Sequence, residues 1–140
     1  MVLVDSSIWI ESLRRDGDVL VKLALNALME ESEATICSMV KLEVLGGARL
    51  QERKNLSADF ELIPYIPVTE KDWSAAVLLS WKLREKGHVV KWNDILIATM
   101  AHRRDIRVFA RDKHFDIMRD VIGVSLYQPG YNGMYNPGEE

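Results

Sequence analysis

"MVLVDSSIWI", residues 1–10, sets the frame for the whole chain. Val2 to Val4 read as a short buried strand, Ile8 to Ile10 resume the apolar run, and Asp5, Ser6 and Ser7 interrupt it. The two serines signal a helix start, which gives a helix over Ile8 to Arg15. An acid at such a junction either caps the helix or lines the carboxyl edge of the sheet, where open α/β sheets bind their ligands.

The same alternation continues downstream. Asp18 caps a helix over Val19 to Glu31, in which Leu20, Leu23, Ala24, Ala27 and Leu28 recur at the three and four spacing of one apolar stripe. Ala34 to Cys37 is the second strand, and Ser38 stands where it caps a helix from Met39 to about Leu50. A further helix spans Arg53 to Glu61, and the prolines of "LIPYIPVT" then allow only a short or edge strand. Thr69 with Asp72 resembles a shortened capping box for a helix over Trp73 to Lys86, ended by Gly87. On it Trp73, Val77 and Trp81 fall on one stripe, expected to face the core. Asn93 caps a helix over Asp94 to Arg103, Arg107 to Ala110 is the next buried strand, and Val121 to Tyr127 supplies a last one. Strands alternating with helices predict an α/β fold, a three-layer α/β/α sandwich around a mainly parallel sheet.

Size and composition narrow the class. A chain of 140 residues, 48% hydrophobic and 28% charged, suits one soluble globular domain, taken here as residues 1–127 followed by a Gly, Pro and Asn-rich tail, 128–140, expected as a loose terminus whose tyrosines can dock. No window approaches the roughly 20 apolar residues of a membrane span, and no leader pattern opens the chain, so a cytoplasmic protein with no membrane association is expected. Cys37 is the single cysteine, which excludes an intrachain disulfide and a thiolate zinc site. His88, His102 and His114 are too scattered to form a local ligand motif and are expected to be unremarkable. The net charge of −3 exerts no overall pull toward nucleic acid, although Arg103, Arg104, Arg107, Arg111 and Lys113 make one stretch locally basic.

Four acids fit their positions poorly. Asp5 and Asp112 each follow a strand and precede a helical turn. Glu43 shares a helix face with Met39, Val40, Gly46 and Gly47, and an unpaired charge on such a face must reach the rim, meet a cation or become neutral. Asp94 heads the stripe Ile97, Ala98, Ala101, while Asn93 holds the turn. If the fold gathers these carboxylates at one edge, their repulsion calls for protons or a divalent ion, and oxygen ligands select Mg²⁺ or Mn²⁺. Ser6 and Ser7 can hydrogen-bond a carboxylate or a water there.

In order and context, "LVDSSIWI", Glu43 in "KLEVLGG", "WNDILIATMA" and "VFARDKHF" resemble the acidic motifs of the PIN-domain family, most closely its VapC-type toxins, from Met1 to about Tyr127. The resemblance implies a parallel-sheet α/β/α sandwich and a Mg²⁺- or Mn²⁺-dependent endoribonuclease of a type II toxin-antitoxin pair. It also implies a small antitoxin that inserts a segment into the active groove, and a homodimer. Asp5, Glu43, Asp94 and Asp112 match the family's acidic positions, where they would serve as catalytic residues and metal ligands, and Ser6 matches its usual hydroxyl residue. The implied chemistry is in-line attack of activated water on an RNA phosphodiester, leaving a 5′-phosphate. One departure is Ala110, where the family often carries Thr or Ser. Two other readings stand beside this one. A metal-dependent phosphohydrolase of the haloacid-dehalogenase type also begins on a strand-end Asp but wants a second Asp where Ser7 stands. A non-catalytic binding module would use the acids as caps and Trp73, Trp81 and Trp92 as an interface.

Overall fold

Val2, Leu3 and Val4 are wholly removed from solvent in the computed structural model, which describes residues 1–138. They form β1 (Val2–Val4), one of the two inner strands of a four-stranded sheet in the order β3-β2-β1-β4, every neighbouring pair parallel. The partners are β2 (Ala34–Cys37), β3 (Tyr65–Ile66) and β4 (Arg107–Phe109), with Leu3 opposite Thr35 on one side and Val108 on the other. As the prolines require, β3 is a two-residue edge strand, and the buried Thr35 hydroxyl donates to the Pro64 carbonyl at 2.7 Å.

Helices fill the connections: α1 (Ser6–Leu13), α2 (Val19–Glu30), α3 (Ser38–Gly46), α4 (Arg53–Glu61), α5 (Glu70–Glu85), α6 (Trp92–Arg103) and α7 (His114–Ile122). Parallel crossovers are right-handed, so the two that step from β1 to β2 to β3 place α1–α4 on one face of the sheet. The crossover returning to β4 places α5 and α6 on the other. This is the expected three-layer α/β/α sandwich. α6 is its central helix, buried at every position from Asp94 to Ala101. Among the described residues no helix is long and apolar enough to cross a membrane.

Several local expectations change. Ser38 does not cap α3, because its hydroxyl is taken by the Tyr65 hydroxyl at 2.7 Å and the Val68 N–H, and α3 ends at Gly46, short of Leu50. Lys91, not Asn93, is the N-cap of α6. Val121 and Ile122 lie in α7, which carries Phe115 and Met118 inward and stops at Gly123 in the left-handed region with φ 78°. Only Leu126 then bridges to Val108, parallel. On α2 the buried line is Ala24, Leu25 and Leu28, leaving Leu20 and Leu23 exposed.

Residues 128–138 are docked on the domain rather than loose. Tyr135 stacks on Tyr127, Arg107 lies over the Tyr127 ring and donates to the Asn136 carbonyl at 2.8 Å, and Gly133 presses on α2. A Cβ at Gly133 would lie 2.9 Å from the Ala24 nitrogen, and its φ of 79° also disfavours other residues.

Trp73, Val77 and Trp81 do not enter the core. They are 47%, 47% and 58% exposed, because α5 turns Asp72, Ala76, Leu79 and Leu83 inward instead. Asp72 completes the capping box with Thr69 and also meets Arg103 and Arg104 from the end of α6, the latter at 2.8 Å. Those two arginines are therefore not free for phosphate. Arg107 is engaged with the tail, and Arg111 pairs with Glu11 at 3.0 Å. The locally basic stretch is largely an internal ion-pair system.

Candidate active site

The strand order creates the site. The chain leaves β1 toward β2 on one side and returns to β4 on the other, so the carboxyl ends of β1 and β4 flank the switch point where α/β sheets open a crevice. Asp5 follows β1, its backbone N–H donating to the Phe109 carbonyl at 2.9 Å. Asp112 lies in the loop after β4. α6 brings Asp94 in from the other helical layer, and α3 supplies Glu43.

Asp5 is only 3% exposed and caps α1 while lying near Asp94 and Glu43. Its Oδ2 accepts from the Ser7 N–H at 3.1 Å and the Ser7 hydroxyl at 2.6 Å, whereas its Oδ1 is buried without a partner. Burial pushes its carboxyl up to about 6 against the two Ser7 hydrogen bonds, and the charges of Asp94 and Glu43 push in the same direction as burial. The Ser7 hydroxyl in turn accepts from the Arg111 N–H at 3.3 Å, tying Asp5 to the loop that carries Asp112. Of the two serines expected to be able to bond a carboxylate, Ser7 holds Asp5, and Ser6 is buried beside it. The signal was present in the sequence, since a capping Asp reaches the N–H two residues on.

Glu43 accepts from the Asn93 side-chain amide at 3.0 Å through Oε2, and its Oε1 is buried without a partner. Asn93 is accordingly a tether between α3 and α6. Asp94 is raised by burial, opposed by a hydrogen bond from His114 and raised further by Asp112, while Lys91 draws it down. His114 Nδ1 lies 3.4 Å from Asp94 Oδ2 and 3.4 Å from Asp112 Oδ1. Asp112 needs no hydroxyl at Ala110 for its orientation, because the His114 N–H donates to its Oδ1 at 2.9 Å.

All four acids therefore meet at one edge, and His114, set aside in the sequence, joins them. Its separation by two residues from Asp112 and its place at the start of α7 were visible; that α6 would bring Asp94 to it was not. Among the described residues, Asp94, Asp112 and His114 offer ligand atoms all within 4.8 Å of one another. With the unpartnered oxygens of Asp5 and Glu43, this donor set is oxygen-rich, anionic and under-neutralised, and it fits a hard divalent cation.

The PIN domain profile matches residues 2–121. Ribonuclease VapC11 of Mycobacterium tuberculosis is 30% identical over 129 residues, covering 89% of this chain and 96% of that protein. Among solved structures, FitAcB from Neisseria gonorrhoeae superposes with a TM-score of 0.75 at 19% identity, covering 91% of this chain and 97% of that one. VapBC2 from Rickettsia felis, bound to a DNA fragment from its promoter, gives 0.74 at 19% identity over 91% and 98%. The fold, the ordered acids at the β1/β4 edge and the span of these matches agree: the chain belongs to the PIN domain family.

Proposed function

We propose that the protein is a Mg²⁺- or Mn²⁺-dependent endoribonuclease that hydrolyses RNA phosphodiester bonds to 5′-phosphate ends, the toxin of a type II toxin-antitoxin pair acting in the cytoplasm. The observation that carries this is the convergence of Asp5, Glu43, Asp94 and Asp112 with two buried carboxylate oxygens left unpartnered. The name of VapC11 as a ribonuclease and the VapBC complex of Rickettsia felis support it. Capping alone, as a binding module requires, does not account for the buried, unpartnered oxygen of Glu43, which lies within α3.

Asp5 and Asp94 would hold the ion, with Glu43 and Asp112 completing the shell. When bound, a divalent cation supplies charge neutralisation and Lewis-acid polarisation at the scissile phosphate. Ser7 fixes the Asp5 carboxylate, Asn93 fixes Glu43, and the His114 imidazole is placed to hold a proton between Asp94 and Asp112. Lys91, close enough to depress Asp94, adds positive charge where phosphate approaches.

The test is end mapping of RNA digested by the purified chain with Mg²⁺, Mn²⁺ or chelator. Cuts bearing 5′-phosphates that need an added ion are expected; intact RNA under all three conditions would overturn the proposal. Proton competition adds a second check. Because Asp5 is held at about 6 and an ion needs it ionised, Mn²⁺ affinity should fall about tenfold per pH unit below 6 and level off above it. A flat titration between pH 5 and 7.5 would contradict Asp5 as a ligand.

An antitoxin partner and a homodimer complete the reading. The outward face of α5, with Trp73, Val77, Leu78 and Trp81 about half exposed, is an apolar patch of the kind that seats a second copy. Trp81→Ser should weaken self-association at least about tenfold by sedimentation equilibrium. An unchanged dimer constant would place the interface elsewhere.

A further inference from the structure

A cleft of about 700 Å³ opens beside the acidic cluster, between the end of α5 and the start of α6. Arg84, His88, Lys91, Trp92, Ile95 and His114 line it. His114 is shared with the acids, standing 3.4 Å from both Asp94 and Asp112, so the cleft and the site have a common wall. Trp92 is 71% exposed and occupies the first turn of α6, one residue before Asn93 and two before Asp94. Arg84 and Lys91 form no ion pair among the described residues, unlike Arg103, Arg104 and Arg111, which are engaged.

A lone exposed aromatic needs no explanation. This one stands in a cleft with two unengaged cations, against the carboxylates that would hold the ion. Resting on the proposed ribonuclease activity, we propose that Trp92 is a base-stacking platform for an unpaired nucleotide flanking the scissile phosphate, with Arg84 and Lys91 contacting the adjoining backbone. An indole offers a face that any base can cover, and a base reaches it only after leaving its own stack. Trp92 thus acts in positioning: it anchors the neighbouring nucleotide so that the phosphodiester lies over the acids. The chemistry demands an unpaired residue at that position and excludes a continuous duplex through the site.

The experiment uses the full chain with Mg²⁺ and a short RNA oligonucleotide containing a site found by end mapping. Wild type, Trp92→Ala and Trp92→Phe are compared on this RNA and on versions with an abasic residue at each position flanking the cut. Trp92→Ala should lower kcat/KM roughly five- to hundredfold, mainly through KM, and Trp92→Phe should recover most of the loss. One abasic position should cost wild type a similar factor and cost Trp92→Ala less than about twofold. If every abasic substitution affects both proteins equally, or Trp92→Ala cuts like wild type, the platform does not exist. Binding is read separately, in an Asp5→Asn background, by anisotropy of a labelled unpaired RNA oligonucleotide chosen without reference to cleavage. Dependence on Trp92 there, with no cleavage by the wild type, would refute hydrolysis while sustaining the stack. No dependence there refutes the stack, whatever the activity.

Discussion

Asp5→Asn should remove RNA cleavage and, at the same time, make the metal-free protein more stable. The two effects share one cause. Asp5 is 3% exposed, its Oδ1 has no hydrogen-bond donor, and Asp94 and Glu43 add like charge, so its folded carboxyl stands at about 6. A group whose folded pKa lies above its unfolded value contributes stability that is complete below the unfolded value and is lost as pH rises through the folded one. Near pH 7 the ionised Asp5 therefore costs roughly 2–3 kcal/mol in the absence of an ion. An asparagine keeps one oxygen for the Ser7 hydrogen bonds and removes the buried negative charge that Asp94 and Glu43 oppose. The substitution should raise the metal-free unfolding free energy at pH 7.5 by about 1–3 kcal/mol, with the gain shrinking toward pH 4. Turnover should fall at least about a thousandfold, the scale on which removing one strong electrostatic contact to the reacting centre acts. Mn²⁺ should raise the melting temperature of the wild type and not of the variant. Calorimetry with and without Mn²⁺ at pH 5 and 7.5 reads all of this except turnover. A variant less stable than wild type at pH 7.5 without the ion would mean that Asp5 serves the helix cap more than the site.

How much of this was written in the sequence depends on what kind of signal each residue sends. Asp5, Asp94 and Asp112 were legible because a carboxylate at a strand end or helix start is anomalous from the order of residues alone. The sheet was legible from short β-type runs alternating with helical periods, and the β3 edge from its prolines. Helix faces were not. Trp73, Val77 and Trp81 have the same period as Asp72, Ala76, Leu79 and Leu83, so spacing alone cannot tell which line turns inward. The fold chose the line with the smaller residue and the charge, because Ala76 lets α5 approach its neighbour and Asp72 meets Arg103 and Arg104. Long-range polar contacts were equally silent. Nothing near Asn93 announces Glu43, fifty positions away, as the acceptor of its amide. Nothing near His114 announces Asp94. Asn93 was read by proximity to a cap, and the hydrogen bond it makes to Glu43 gave a different assignment, whereas Ser7 bonds a carboxylate as its place beside Asp5 allowed.

Asp72→Asn should give the largest loss of stability of any single polar change, about 3 kcal/mol in unfolding free energy. The Asp72 side chain is fully buried and receives the Thr69 N–H at 2.8 Å, the Thr69 hydroxyl at 3.0 Å, and the guanidinium groups of Arg103 and Arg104. These donors hold its carboxyl well below the usual carboxylate range against the opposing effect of burial. Removing one partner of such a cluster typically costs about 3–5 kcal/mol, because the opposite charges are left uncompensated. Arg103 and Arg104 keep 31% and 26% exposure, so water screens part of that penalty and the lower end applies. At roughly 2–4 °C per kcal/mol the melting temperature should drop by about 6–12 °C. The dependence on pH runs opposite to that of Asp5. A depressed folded pKa contributes stability present above the unfolded value, near 4, and lost as pH falls toward the folded one. Urea titrations at pH 7 and pH 3 should therefore show wild type and variant separated at the first and drawing together at the second. A gap of equal size at both would show that Asp72 acts through hydrogen bonding and packing, not charge. The consequence reaches the site, because Asp72 fastens α5 to the end of α6, and α6 carries Asn93 and Asp94 at its other end. With that clamp loosened, the head of α6 keeps its core packing and the Glu43–Asn93 tether but loses the anchor at its far end, and turnover in the folded variant should fall severalfold without any change to the acids.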